Sequence, residues 1–160
     1  MMEVSKLLSV PIYITEQYPQ RLGPTVSELD VSSAEMVLPK TKFSMFLPEI
    51  QASLEAKRIT SIVLLGIEAH VCVLQTALDL LENNYDVHLV SDGISSMNIP
   101  ESHLALERLK QSGAFVTSSE SMLFQLTGDS KHPNFKAISN LVKEYQTASR
   151  ENKLLFKSHI

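Results

Sequence analysis

The chain has 160 residues and 44% hydrophobic content, enough for one domain with a substantial core. Its formal net charge is −4, and no cluster of lysine and arginine forms a stripe, which argues against a nucleic-acid partner. No apolar run is long enough to cross a bilayer, and "MMEVSKLLSVPIY" lacks the layout of a signal peptide, so a cytoplasmic protein without a membrane partner is expected.

Taken in chain order, short β-rich runs alternate with longer helical patterns. The opening "MEVSKLLSV" reads as a helix, and "PIYITEQ" as a strand of β-branched and aromatic residues. "MVLPKTKF" is a weaker strand because Pro39 cannot donate a ladder hydrogen bond. "LPEIQASLEAKR" begins at a proline suited to a first helical turn. "ITSIVLLGI" is a continuous apolar run, as expected of a strand buried on both faces. In "VCVLQTALDLLENN" the spacing of Val71, Leu74, Leu78 and Leu81 predicts one apolar helix face. "YDVHLVSDG" and "GAFVTSSE" are two further strands, with the helix "IPESHLALERLKQSG" between them and Gly113 as its cap. "SMLFQLTG" and "HPNFKAISNLVKEYQ" close the pattern as helices; residues 147–160 have little periodicity and are expected to form a loosely docked tail.

This alternation predicts an α/β fold with a mostly parallel sheet and right-handed crossovers. In such sheets, sites gather at the carboxyl ends of strands. Those ends carry Glu16 and Gln17, Lys40, Gly66 to Glu68, Ser91 and Asp92, and Ser118 and Ser119.

Cys72, the single cysteine, lies where a strand gives way to a helix. A thiol in a first helical turn faces unpaired backbone N–H groups and the positive end of the helix dipole, and both favour the thiolate. The same N–H groups could hold an oxyanion formed when sulfur attacks a carbonyl. Cysteine is also among the most buried residue types, so position alone leaves packing and chemistry both open.

The neighbouring stretches shift the balance toward chemistry. "GIEAHVCV" after an apolar strand, with "LPKTKFSMF" about thirty residues earlier, resembles the isochorismatase-like cysteine hydrolase superfamily. There a Gly-x-x-x-x-x-Cys-Val stretch carries a nucleophile and a Lys-x-x-x-Ser-x-Phe stretch carries a catalytic lysine. Here these fall on Cys72 and on Lys40, not Lys42. "YITEQYPQRLGPTVSEL", "SGAFVTSSESMLFQLTGD" and "HPNFKAISNLVKE" look like the eukaryotic isochorismatase domain-containing branch, type 2 in particular, so the resemblance covers residues 3–146.

The resemblance implies a three-layer α/β/α domain with an Asp–Lys–Cys triad. It implies hydrolysis of an amide-type C–N bond in a small molecule through a thioester, without a metal or other cofactor. A cis peptide would fall at Ile67–Glu68, and backbone N–H groups of Ile67, Glu68 and Val71 would form the oxyanion hole. Relatives commonly self-associate, so a homo-oligomer is expected, with "SMLFQLTG" as one surface that could serve. The nicotinamidase metal motif, Asp-x-His-x-x-x-His, is absent from "TEQYPQRLGPTVSEL", and the five histidines lack metal-ligand spacing. His70 is expected to be structural or to contact substrate.

One part of the pattern has no counterpart. The triad's aspartate would end a first, central strand before "PIYITEQ", and the chain opens within the helix that follows it. An N-terminally shortened domain is therefore expected, with "PIYIT" and "SIVLL" facing a gap. Two readings follow: a hydrolase impaired by loss of its acid, or a catalytically silent form that binds a protein partner. Glu16, Glu68 and Asp92 are the carboxylates near strand ends, each expected to be a capping or solvated residue.

Overall fold

The computed structural model describes residues 1–152. Among these residues there are five strands: β1 (Tyr13–Gln17), β2 (Met36–Lys40), β3 (Ser61–Gly66), β4 (Asp86–Ile94) and β5 (Phe115–Thr117). The helices are α1 (Met2–Leu8), the single turn α2 (Pro19–Leu22), α3 (Pro48–Ala56), α4 (Leu74–Glu82), α5 (Ile99–Gln111), α6 (Ser119–Thr127), α7 (Phe135–Glu144) and α8 (Gln146–Arg150). Every strand pairing is parallel, β1 with β2 and β3–β4–β5 in order, and the two groups form separate sheets.

The layers follow from where the apolar side chains go. On one side, Ile50 and Leu54 of α3, Ala77 and Leu80 of α4, and Ala105 and Leu109 of α5 join Val87 and Leu89 of β4 in one buried cluster. Val4 of α1, Leu123 of α6 and Ile138 of α7 form a second. Val90, one residue out of phase with Leu89, is also fully buried, so β4 is covered on both faces as the centre of its sheet. Helices therefore flank parallel strands in the three-layer order the resemblance implies. α6 buries Met122 and Leu123 in this arrangement rather than presenting a wholly exposed face.

Three expectations change in detail. β3 buries only Leu64, and Leu65 is 46% exposed. The apolar run is not matched by two-sided burial, because β3 pairs with β4 alone and its other edge has no partner strand. The expected face of Val71, Leu74, Leu78 and Leu81 is only half-buried, and the buried line is Val73, Ala77 and Leu80 with Thr76. A π-helical turn over Ala69–Val73 precedes α4, and Leu74, Leu78 and Leu81 pack partly buried against the core beside that line. Ser91 and Asp92 lie inside β4, not at its end, because the strand runs on to Ile94 past an irregularity that pairs Gly66 with Ile94.

Residues 146–150 form α8, so the predicted tail begins as a helical turn; the remainder of that tail, 153–160, lies outside the described residues. No helix among the described residues is long and apolar enough to cross a membrane. A cavity of about 570 Å³ opens at the amino ends of the strands, beside Ile12, Glu35 and Ile59, and none of its lining residues belongs to the Cys72–Lys40 end.

Candidate active site

β1 and β2 run in register to Gln17 opposite Lys40, so both final residues arrive at the same carboxyl edge. β3 ends there at Gly66, whose φ of +126° suits glycine, followed by a cis peptide between Ile67 and Glu68. The π-helical turn then carries Cys72. Three elements distant in sequence thus converge on one edge.

Lys40 is 7% exposed, and its Nζ lies 3.7 Å from the half-buried Cys72 Sγ. The ammonium also donates to Gln17 Oε1 and to the carbonyls of Lys42 at 3.0 Å and Phe43 at 2.7 Å. Burial lowers the Lys40 pKa from its ordinary value, against the charge of Cys72 and its hydrogen bond, which raise it. Lys42 is more exposed and pairs with Asp79 at 2.9 Å, so the two lysines of "KTKF" take separate tasks.

Thr76, fully buried, ties the cysteine turn to the lysine loop. Its hydroxyl donates to the Cys72 carbonyl at 2.6 Å and accepts from the Met45 N–H at 2.9 Å. On the other side, residues 95–97 brace the turn: Ala69 N donates to Ser95 O, Ser95 N to Gly66 O, and Met97 N to Glu68 Oε2. His70 Nδ1 and Ser96 Oγ are 2.9 Å apart, which gives His70 a structural partner. Val71 N donates to Glu68 O at 3.1 Å, so this backbone donor is engaged within the turn. Ile67 is 68% exposed at the rim.

The nearby carboxylates are committed elsewhere. Glu16 accepts from both N and Oγ1 of Thr25, Glu68 from Met97 N, and Asp92 from N and Oγ of Ser119. Among the described residues no group of histidine, cysteine and carboxylates could hold a metal ion. The assembled chemistry is a thiol beside a buried cation, a pair suited to stabilising a sulfur anion.

Gln17, Thr76 and Ser96 were given no role by the sequence. Gln17 stood at a predicted strand end, but its meeting with Lys40 depends on a register that one strand does not encode. Thr76 and Ser96 carry no motif at all; their hydroxyls matter only because tertiary packing places backbone or imidazole partners beside them.

The isochorismatase domain family profile matches residues 3–121, and the chain belongs to that family. Isochorismatase domain-containing protein 1 of Salmo salar is 48% identical over 144 residues, covering 89% of this chain and 51% of the relative. Isochorismatase domain-containing protein 2 of Bos taurus is 50% identical over 145 residues, covering 90% of this chain and 70% of the relative. The chain thus spans about half the length of the type 1 relative, and type 1 and type 2 resemble it about equally. A Caenorhabditis elegans structure described as MAR1 ribonuclease superposes with a TM-score of 0.88 at 41% identity, covering 99% of this chain and 81% of that one.

Proposed function

We propose that Cys72 is the nucleophile of a hydrolase site for small molecules with an amide-type C–N bond, and that Lys40 is its electrostatic partner. The observation that carries this reading is the buried Lys40 ammonium 3.7 Å from the thiol sulfur. A thiolate would attack the carbonyl carbon to form a C–S bond, with Ile67 and Glu68 as backbone candidates for holding the oxyanion. Collapse breaks the C–N bond; the amine leaves with a proton drawn from water. Water then cleaves the thioester to a carboxylic acid and restores the thiol. No metal takes part in this scheme.

Among the described residues no carboxylate bonds to Lys40 or Cys72, so in this reading water supplies the protons, cleavage of unactivated amides is slow, and activated esters acylate Cys72 most readily. Intact-mass measurement after exposure to a panel of small amides and activated esters tests it. A single acyl adduct, lost in Cys72→Ala, is expected; no adduct from any compound, with ordinary thiol alkylation, refutes it. The engagement of Glu16, Glu68 and Asp92 with other partners favours a second reading, a catalytically silent interaction protein. That reading requires cooperative unfolding together with an unreactive Cys72.

Self-association belongs to the proposal. The YcaC product of Escherichia coli, of like fold (TM-score 0.74) at 22% identity, is described as an octameric hydrolase. Light scattering on the purified chain tests whether this one assembles too.

A further inference from the structure

Gln17 is held at both ends of its amide. Nε2 donates to the Thr41 carbonyl at 2.8 Å, and Oε1 accepts from Lys40 Nζ and lies 3.9 Å from Cys72 Sγ. The orientation is chemically fixed, because the amide nitrogen and the ammonium are both donors and cannot face one another. One neutral oxygen therefore touches both members of the thiol–ammonium pair.

The charge around it is uneven. An ammonium has three N–H groups, and three oxygens surround Lys40 Nζ: those of Gln17, Lys42 and Phe43, none of them charged. The other titratable groups of the surrounding elements are turned to partners of their own: Glu16 to Thr25, Glu68 to Met97, His70 to Ser96, and Asp79 to Lys42. Among the described residues, Cys72 is the only group touching Lys40 that can become an anion.

We propose that Gln17 is a positioning residue: its neutral carboxamide fixes the Lys40 ammonium against Cys72 without quenching the charge, leaving the thiolate as the counter-ion. The proposal rests on the reading of Cys72 as nucleophile. A carboxylate at this position would close an ion pair with Lys40 and repel sulfur. An apolar side chain of similar length would leave the ammonium unheld on that side.

The test is the alkylation rate of Cys72 by iodoacetamide across pH 5.5 to 9.5, clean because the chain has one cysteine. Gln17→Glu should move the midpoint of the curve up by about one pH unit and lower the rate at pH 7 about tenfold. Gln17→Met should lower the rate at pH 7 several-fold with a smaller midpoint shift. An unmoved or lowered midpoint in Gln17→Glu overturns the proposal. So do superimposable curves for the two variants, the outcome of a merely structural role. If the carboxylate variant fails to fold, Gln17→Met decides: a rate equal to the parent's overturns the proposal. The nucleophile reading fails separately, if the parent's Cys72 reacts no faster at neutral pH than free cysteine.

Discussion

Replacing Lys40 by methionine removes the cation beside Cys72 while keeping a side chain of similar length. At 3.7 Å and an effective dielectric of about 20, an ammonium and a thiolate attract by about 4 kcal/mol before desolvation is subtracted. Lys40 is 7% exposed, so water screens the pair little, but burial also penalises both charges. A net loss of about 2 kcal/mol of this attraction is expected, read as a roughly thirtyfold fall in alkylation rate. The assay is Cys72 alkylation at pH 7, read beside urea denaturation. Folding stability should change by no more than about 2 kcal/mol, since relief of a buried charge offsets the loss of donors to Gln17, Lys42 and Phe43. An alkylation rate within twofold of the parent's, in a folded variant, would refute the electrostatic coupling of the two residues.

Thr76→Val strands the Met45 N–H and the Cys72 carbonyl, so a loss of about 1–3 kcal/mol in urea denaturation is expected, with slower Cys72 alkylation; a neutral result would show that the hydroxyl bridge is dispensable. Leu109→Ala opens a cavity at a fully buried site and should cost about 3 kcal/mol by thermal or chemical unfolding, with Cys72 reactivity retained. For Asp79, burial raises the carboxyl pKa, but hydrogen bonds from Lys42 and Ser44 and the Lys42 charge outweigh it, leaving the value below 3.8. The stability it contributes is thus present above pH 3.8 and lost as pH falls through the lower folded value; Asp79→Asn should flatten stability in that acid window. For Lys40 the sign is opposite to that of a gained ion pair. Burial lowers its folded pKa below 10.5, so the unfolded chain holds the proton longer and stability rises with pH between the folded value and 10.5. Lys40→Met should remove that rise in alkaline denaturation curves.

The amino-acid sequence determined most of what depends on neighbours along the chain. Alternating apolar runs and helical spacing were enough for five parallel strands flanked by helices, because strand and helix periods are local properties. Cys72 and Lys40 were legible as a pair through the two motifs around them, and the distinction between Lys40 and Lys42 was legible in the same way. Tertiary structure decided what depends on register and on edges. Packing against the sheet chose which of two neighbouring lines of α4 is fully buried, Val73, Ala77 and Leu80, while Leu74, Leu78 and Leu81 pack partly buried beside them. The open edge of β3 left Leu65 exposed in a run that reads as fully buried. Gln17 meets Lys40 only because β1 and β2 pair in one register, and it nears Cys72 only because β3 delivers its turn to the same edge. Local sequence sets each strand's period, but the relative position of separate strands is fixed by the packing of the whole chain.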